Sequence, residues 1–241
     1  MLRKIFLFLF SPMRYAVRHE IERAMPRMVL DKDIRIARQR RALETTVEYV
    51  ENNMLSVDSV ESNLVLLTKA LELADLAPTK LICEFGVFGG TTINHIAAQT
   101  SLTVYGFDSF EGLPERWREG YREGHFAVRE LPTVRDNVEL IRGWFDRSLP
   151  AFLQEHREDV SFLHIDCDLY SSTKTVFDLL KGRIKPGCVI VFDEYFNYPG
   201  WEEGEFKAFR EFLSETGLGY EYVGYNRLYE SVAVKITDRT P

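Results

Sequence analysis

The chain has 241 residues, of which 45% are apolar and 13% aromatic, a globular composition long enough for one α/β domain with an appendage. Its net charge of −7 is unevenly placed: residues 1–41 hold eleven Lys/Arg and four Asp/Glu, a balance of +7, so residues 42–241 carry −14. This acidic balance argues against nucleic-acid binding, which depends on basic surface.

Residues 1–10 join a basic lead to an apolar run. The run is too short to span a bilayer and shorter than the apolar region of a typical signal peptide. It is compatible with weak membrane contact and equally with docking onto a partner subunit. We interpret the basic charge of residues 1–41 as a solvated helix face rather than an interaction arm.

Three cysteines, Cys83, Cys167 and Cys188, lie in apolar strand-like runs and show no CxxC spacing. This pattern indicates buried free thiols in a reducing compartment, and we expect a cytoplasmic protein.

The N-terminal third of the chain is predicted to be helical. Residues 13–55 indicate two helices separated at Pro26. Residues 59–76 repeat apolar side chains at helical spacing and predict one amphipathic helix, which Ala77-Pro78 ends. We expect residues 1–77 to form a helical cap and residues 78–241 to form the main domain.

From Lys80 onward the pattern alternates between strands and helices. Strands are predicted at residues 81–85, 102–107, 138–142, 160–165, 188–192, 220–225 and 231–236, and helices at 92–99, 134–137, 149–155, 172–180 and 203–216, with a turn at 185–187. The alternation predicts a Rossmann-like, doubly wound α/β fold. Its sheet is expected to be mostly parallel and seven-stranded, with a C-terminal antiparallel hairpin. Residues 110–132 lack periodicity and suggest an active-site lid.

A glycine-rich turn follows the first of these strands. Gly86, Gly89 and Gly90 let the backbone approach a ligand, and the helix beyond presents unpaired N–H groups to a carboxylate or phosphate. Glu84, before the turn, would pair with a cationic group, so the loop suits a ligand with an ammonium and a carboxylate. A ligand-free packing turn is the alternative. The spacing is not the G-x-G-x-x-G of dinucleotide sites.

Acidic residues close the neighbouring strands. Because ligands of such sheets bind at the carboxyl ends of the strands, these acids should share one edge. Asp108 suits the ribose hydroxyls of a nucleoside cofactor, with helix capping as the alternative. Asp166, Asp193 and Glu194 suit a hard divalent cation, with a carboxylate network bonded to backbone N–H groups as the alternative.

Two residues are candidates for the general base. Asp168 follows the fourth strand beside the predicted metal ligand Asp166, and His125 lies in the predicted lid. His164, inside the fourth strand, is predicted to be a packed histidine with its hydrogen bonds satisfied.

Four stretches of the chain resemble motifs of class I S-adenosylmethionine-dependent methyltransferases, and in particular of the macrocin-type (TylF/MycF) O-methyltransferases. They are residues 84–92 (EFGVFGGTT), 105–114 (YGFDSFEGLP), 164–173 (HIDCDLYSST) and 191–195 (VFDEY). The resemblance covers residues 80–237. It implies methyl transfer from S-adenosylmethionine to a hydroxyl, often on a sugar of a natural product, with Mg²⁺ aiding.

The resemblance also implies site residues. The cofactor contacts are Glu84, Gly86, Val87, Phe88, Gly89, Thr91, Asp108, Ser109, Gly143, Trp144 and Asp166. The metal ligands are Asp166, Asp193 and Glu194, although the family often has two aspartates where this chain has Asp193-Glu194. The aromatic loop at 196–201 is unlike the shorter family loop and points to a different substrate.

We therefore expect an O-methyltransferase with a small-molecule acceptor, assembled as a homodimer. Three alternatives stay open: a metal-independent methyltransferase with Asp168 or His125 alone as base, an NAD-type oxidoreductase, and a non-catalytic binding module of the same fold.

Overall fold

The computed structural model describes residues 33–238, so the first helix expected within 13–55 and the apolar run at 1–10 lie outside the described residues. The helices are α1 (Ile34–Asn53), α2 (Asn63–Leu73), α3 (Thr91–Ala97), α4 (Phe145–Glu155), α5 (Tyr170–Leu180) and α6 (Glu205–Thr216). The strands are β1 (Ser59–Val60), β2 (Lys80–Phe85), β3 (Val104–Asp108), β4 (Val138–Arg142), β5 (Asp159–Ile165), β6 (Ile184–Phe192), β7 (Gly219–Asn226) and β8 (Val232–Thr237). Between residues 33 and 238, no helix has both the length and the apolarity to cross a bilayer.

The strands form one sheet in the order β1-β7-β8-β6-β5-β2-β3-β4. Strand β8 runs antiparallel to both of its neighbours, β6 and β7, and the remaining pairs are parallel. This is the predicted Rossmann-like fold with its C-terminal antiparallel hairpin. The described sheet has eight strands rather than the predicted seven, because β1 adds to the edge of β7.

The prediction of one helix over residues 59–76 was wrong at its beginning. Ser59 and Val60 pair in parallel with Tyr225 and Asn226 of β7, and α2 begins only at Asn63. Val60 is buried in the strand and would also fit the apolar face of a helix. The spacing of apolar residues therefore could not distinguish a helical turn from this short strand. The cap boundary at residue 77 stays a prediction, but β1 already belongs to the sheet of the main domain.

Two smaller predictions also differ from the structure. Residues 134–137 form no helix, because Asn137 holds this segment as a turn before β4: its side-chain amide donates to the carbonyls of Ala97, Thr100 and Leu102 at 3.0–3.1 Å. The turn expected at 185–187 is an irregularity inside β6. The register against β5 shifts there, and Gly187 has a φ of +94°.

Helices cover both faces of the sheet. Helices α4, α5 and α6 share one apolar cluster, which also takes in residues of α1, and α2 and α3 belong to the other. The sheet is therefore buried on both faces, and a ligand can approach only at its edges. The carboxyl ends of the parallel strands carry the candidate site.

Candidate active site

The site lies at the topological switch point of the sheet, where the order in which strands are added reverses. Strands β3 and β4 are added on one side of β2, while β5 and β6 lie on the other, so the loops after β2 and β5 diverge and leave a crevice. Gly86, Asp166 and Asp193 follow β2, β5 and β6. Each donates its backbone N–H to a carbonyl at the end of the neighbouring strand, at 2.9, 2.8 and 2.9 Å. These bonds align the strand ends into one edge.

A cavity of about 560 Å³ opens at this edge. Nine predicted site residues line it: Gly86, Phe88, Asp108, Ser109, Trp144, Asp166, Asp168, Asp193 and Glu194. Gly112, Leu113, Pro114 and Phe126, from the loop at 110–132, line it as well. The segment predicted as a lid therefore forms part of the cavity wall.

Gly86 occupies a position that only glycine fits. Its φ is +96°, and a Cβ atom there would lie 1.6 Å from the carbonyl oxygen of Asp166. The loop after β2 and the loop after β5 thus touch backbone to backbone, which holds the two sides of the crevice together.

Asp108 organises the loops beside the cavity. Its Oδ2 accepts the backbone N–H groups of Val87 and Phe88, each at 2.8 Å, and its Oδ1 accepts that of Phe110 at 2.7 Å. The backbone carbonyl of Asp108 also accepts the N–H of Gly143 at 2.9 Å. The carboxylate lines the cavity while it fixes the glycine loop, so both interpretations of Asp108, as ligand contact and as cap, remain compatible with its position.

Several predicted cofactor residues lie outside the cavity wall. Val87 is buried in the apolar cluster shared with α2 and α3, and Gly89 and Thr91 are exposed. Gly143, at a φ of +141°, lies beside Trp144 without lining the cavity. These residues shape the loops that Gly86, Phe88 and Trp144 extend into the cavity.

The structure corrects the role predicted for Glu84. Its side chain is fully buried, faces His164 across the β2–β5 pair and bonds to His164 Nδ1 at 2.9 Å and to Thr92 Oγ1 at 3.1 Å. Burial raises the pKa of Glu84, and His164 opposes that shift. Burial alone would lower the pKa of His164, but the bond and charge of Glu84 raise it. Glu84 thus ties α3 to the strands and is not on the cavity wall, and His164 is packed and satisfied as predicted.

His125 also differs from its predicted role. It is exposed, does not line the cavity, and packs its ring against Tyr121 and Phe126 at centroid distances of 4.9 and 4.4 Å. Its carbonyl accepts the N–H of Leu113 at 2.8 Å. In this arrangement His125 shapes the loop at 110–132, which leaves Asp168 as the predicted base that reaches the cavity.

Asp166, Asp193 and Glu194 converge on the cavity. Each offers one carboxylate oxygen, and the three oxygens lie within 4.8 Å of one another. Asp193 is oriented by Asn63 and Ser231, whose side chains donate to its Oδ1 at 2.8 and 3.0 Å. Carboxylate oxygens from adjacent strand ends are the donor set that Mg²⁺ prefers, so these residues fit a hard divalent cation.

The raised pKa values in this carboxylate cluster are also consistent with a cation site. Burial raises the pKa of Asp166 and of Glu194 well above the usual value, and the neighbouring charges of Asp193 and Asp168 raise both further. Glu194 Oε2 is buried without a hydrogen-bond partner in the part of the chain that the structure describes. Carboxylates crowded in this way favour either protons or a bound cation.

Asp168 has an unusual backbone. Its φ is +65°, a left-handed conformation that is uncommon for residues other than glycine, although aspartate adopts it more readily than most, and its side chain is largely buried. Burial raises the pKa of Asp168 to about 7, although the positive charge of Arg118 opposes that shift. Strained backbone of this kind is found most often at functional sites.

Two features of the site were not predicted from the sequence. Glu205, at the beginning of α6, is fully buried and accepts the backbone N–H of Glu194 at 3.2 Å. In the sequence it looks like an ordinary acid in the first turn of a helix. Arg118 pairs with Glu230 across 112 positions of the chain, and no local pattern signals such a contact.

A protein-family model matches the part of the chain that carries the candidate site. Residues 83–195 match the model of a family described as a methyltransferase domain. The matched range begins in β2, just before the glycine loop, and ends one residue beyond Glu194, so it contains every predicted metal ligand.

Two curated relatives are named as O-methyltransferases. The chain is 30% identical over 148 residues to an 8-demethyl-8-(2,3-dimethoxy-alpha-L-rhamnosyl)-tetracenomycin-C 4'-O-methyltransferase of Streptomyces olivaceus, covering 51% of this chain and 55% of the relative. It is 25% identical over 144 residues to a demethyldecarbamoylnovobiocin O-methyltransferase of Streptomyces niveus, covering 52% of each chain. The chain thus spans about half the length of the curated relatives it matches.

Among solved structures, the chain is similar to CalS11, a calicheamicin methyltransferase. The TM-score is 0.58 at 21% identity, covering 83% of this chain and 90% of that chain. At this identity the likeness shows the fold, which is that of Rossmann-like methyltransferases.

Proposed function

We propose that the protein is an S-adenosylmethionine-dependent O-methyltransferase that modifies a hydroxyl group of a sugar or another natural-product small molecule, with the help of a divalent cation. One observation carries the proposal: a single cavity joins the glycine loop and Asp108 on one side to the carboxylates of Asp166, Asp168, Asp193 and Glu194 on the other. The first side suits a nucleoside cofactor, and the second suits a hydroxyl acceptor. The match of residues 83–195 to a methyltransferase domain supports this assignment.

The cofactor side is assigned to residues that reach the cavity. Gly86 lines the cavity, so its backbone can contact the methionine portion of S-adenosylmethionine, while its missing Cβ lets the loop lie against Asp166. Asp108 Oδ1 accepts one backbone N–H group, so its second lone pair can accept from a ribose hydroxyl, whereas both lone pairs of Oδ2 already accept backbone N–H groups. Phe88, Ser109 and Trp144 complete this part of the wall.

The chemistry is a direct displacement at carbon. S-adenosylmethionine, when bound, supplies a methyl group already activated on a positively charged sulfur, so the protein has mainly to position two reactants. The bond from the acceptor oxygen to the methyl carbon forms as the bond from sulfur to that carbon breaks. We assign Asp168 as the base that receives the hydroxyl proton, because it reaches the cavity next to Asp166.

The divalent cation is assigned to Asp166, Asp193 and Glu194. A cation held there would lower the pKa of a bound hydroxyl and make it a better nucleophile. The convergence of three carboxylate oxygens and the unpartnered buried oxygen of Glu194 support this assignment. The rival is a metal-independent enzyme in which Asp168 acts alone.

The finer assignments rest on the relatives. Both curated relatives are named as O-methyltransferases, one of a rhamnosyl-tetracenomycin and one of demethyldecarbamoylnovobiocin, which supports a small-molecule acceptor. Membership of the macrocin-type family, a cytoplasmic location and a homodimer are part of the proposal and rest on the motifs and cysteines of the sequence. Weak membrane contact through residues 1–10 is also proposed, because that segment joins basic residues to an apolar run.

Two measurements test this function. Calorimetry should detect S-adenosylmethionine binding and no NAD binding, and labelled cofactor should pass its methyl group to hydroxylated acceptors. Replacing Asp166 by Asn should reduce transfer by at least a hundredfold and leave the circular dichroism spectrum unchanged. The control is Asp136→Asn, an exposed acid outside the cavity, which should keep full activity.

The outcomes separate the rivals. Full activity of Asp166→Asn would contradict the cation assignment, and activity that survives thorough EDTA treatment would favour the metal-independent enzyme. Absence of S-adenosylmethionine binding would contradict the proposal as a whole and favour a binding module of the same fold.

A further inference from the structure

A second cavity, of about 450 Å³, is lined in part by the loop at 110–132, which also contributes to the first. Arginines from two parts of the chain line it: Arg38 of α1, and Arg116 and Arg118 of the loop at 110–132. Trp117, Glu119 and Pro199 complete the wall. We call this space the arginine cavity.

Arg118 is held in a fixed orientation. Its Nη1 lies 3.0 Å from both carboxylate oxygens of Glu230, and its guanidinium carbon lies 3.8 Å above the ring centre of Trp117 and 5.1 Å from that of Tyr198. The pair with Glu230 engages one terminal nitrogen of the guanidinium. Within residues 33–238, the side-chain hydrogen bonds of Arg118 involve only Nη1, and the stacking on Trp117 fixes the plane of the guanidinium.

The arginine cavity is positive in an acidic molecule. Within residues 33–238, neither Arg38 nor Arg116 forms an ion pair with a carboxylate. Glu230 offsets Arg118, and Glu119 offsets one further charge, so a net positive charge remains on the wall. By contrast, residues 42–241 as a whole carry −14. Positive charge collected at one cavity of such a chain calls for an anionic ligand.

The arginine cavity adjoins the active site. Leu113 and Pro114 line the first cavity, and the chain continues directly into Arg116 on the wall of the second. One short segment of the loop therefore contributes residues to both cavities. Arg118 is also close enough to Asp168 to oppose the rise that burial causes in the pKa of that acid. A molecule with its hydroxyl at the carboxylates could therefore extend toward the arginines.

We propose that the arginine cavity is a subsite for a phosphate or diphosphate group of the acceptor, whose hydroxyl is methylated in the first cavity. This rests on the proposed function and makes the acceptor a phosphorylated or nucleotide-linked small molecule. The planar guanidinium fork matches pairs of phosphate oxygens, and its charge strengthens each hydrogen bond. The indole of Trp117, which carries the Arg118 guanidinium on one face, lines the same cavity.

Binding of inorganic pyrophosphate to the full chain tests the proposal. Calorimetry should detect binding to the wild type, and the double substitution Arg38→Gln with Arg116→Gln should weaken it at least tenfold. Both side chains are exposed, so the variant should fold normally. The matched control is Arg122→Gln with Arg129→Gln, which removes two exposed arginines of the same loop that do not line the cavity. The control should bind pyrophosphate as the wild type does.

A parallel arm identifies the source of the phosphate. If vesicles of phosphatidic acid bind the wild type and lose this binding in the double variant, the phosphate belongs to a lipid headgroup. If pyrophosphate alone shows the difference, the acceptor is a soluble phosphate compound. Equal pyrophosphate affinity of the wild type and the double variant, or no binding by the wild type, overturns the subsite.

The experiment also keeps this proposal apart from the proposed function. Pyrophosphate binding requires neither the methyl donor nor turnover, whereas S-adenosylmethionine binding is measured separately on the same two proteins. Intact S-adenosylmethionine binding without a difference in pyrophosphate affinity overturns the subsite and leaves the methyltransferase proposal standing. Absence of S-adenosylmethionine binding contradicts the methyltransferase proposal whatever pyrophosphate does.

Discussion

At the scale of single residues, the site depends on a few side chains and on one missing side chain. Both carboxylate oxygens of Asp108 accept backbone N–H groups of the neighbouring loops, and the residue still lines the cavity. Gly86 contributes by lacking a Cβ, which allows two loops to meet backbone to backbone.

Substitution of Gly86 by Ala should therefore damage both the fold and the site. The added Cβ would overlap the carbonyl of Asp166 at 1.6 Å, and alanine would have to hold a φ of +96°. We expect the free energy of unfolding to fall by about 3 kcal/mol, because a strained backbone and a steric overlap combine. S-adenosylmethionine binding should be lost as well. Chemical denaturation and calorimetry measure the two effects.

Gly89 provides the matched control, since it lies three positions away in the same loop. No atom lies within 4 Å of a Cβ built there. Gly89→Ala should change stability by less than about 1 kcal/mol in either direction. Similar losses in the two variants would show that the loop needs glycine for flexibility rather than for close approach.

Some residue-scale features could be predicted and others could not. The acids at the ends of the parallel strands could be predicted to share one edge of the sheet. Each acid follows a hydrophobic run, which marks the end of the strand, and the carboxyl ends of parallel strands lie at the same edge. Glu84 follows the same pattern, yet its carboxylate is turned inward to His164. The sequence does not reveal which way an acid at a strand end will face, because that depends on the neighbouring strand.

At the scale of elements, α1 braces the loop that follows the metal-ligand candidates. Asn197, in that loop, receives a hydrogen bond on its carbonyl from Gln39 at 2.7 Å and donates its N–H to Thr46 Oγ1 at 2.9 Å. Trp201 donates its indole N–H to Thr45 Oγ1 at 3.1 Å. Through these bonds α1 acts on the site from outside the cavity.

Removal of the Thr46 hydroxyl tests this brace. Thr46→Val keeps the shape of the buried side chain but leaves the N–H of Asn197 without its acceptor. We expect a loss of about 1–3 kcal/mol in the free energy of unfolding, the cost of an unpaired buried donor. The KM for the acceptor should rise because the loop after Glu194 loosens. Urea denaturation and steady-state kinetics report the two effects.

Thr46→Ser separates the hydroxyl from the methyl group. Serine keeps the acceptor for Asn197 and should restore the KM, although the lost methyl group still costs some packing energy. An equal rise in KM for both variants would assign the effect to packing of α1.

Long periodic elements were predicted well, and short ones were not. Strands β2 and β5 lie within a residue of their predicted bounds, because buried parallel strands appear as largely continuous apolar runs. The edge strand β4 also matches its predicted bounds, although none of its residues is buried. The strand at Ser59–Val60 exists only through its pairing with β7, more than 160 residues later in the chain. Its two residues carry no local signal of that partner.

At the scale of the whole molecule, the fold collects negative charge at one edge. Asp166, Asp168, Asp193 and Glu194 line one cavity, and the buried Glu205 lies directly behind Glu194. Alternation of strands and helices was enough to predict this common edge. The arginine cavity was not predictable, because Arg38 and Arg116 come from segments that meet only in the folded chain.

This concentration of charge should make stability depend on divalent cations. Burial and mutual repulsion oppose the ionised carboxylates in the cation-free protein, and a bound cation relieves both. At a Mg²⁺ concentration one hundred times its dissociation constant, we expect a gain of about 2.7 kcal/mol in the free energy of unfolding. Thermal unfolding in EDTA and in Mg²⁺ measures the gain. Asp193→Asn should remove most of it, because that residue is one of the three proposed ligands, whereas Asp136→Asn should leave it unchanged.

Monovalent salt distinguishes binding from screening. KCl at matched ionic strength weakens repulsion between exposed charges but offers no ion suited to three converging carboxylate oxygens, two of them only partly buried. Its effect on the melting temperature should therefore be small and should be the same in the wild type and in Asp193→Asn. If KCl and Mg²⁺ stabilised the protein equally, the edge would be a general acidic surface rather than a cation site. A rise in melting temperature that is specific to Mg²⁺ and is lost in Asp193→Asn would instead show that the three carboxylates bind the cation.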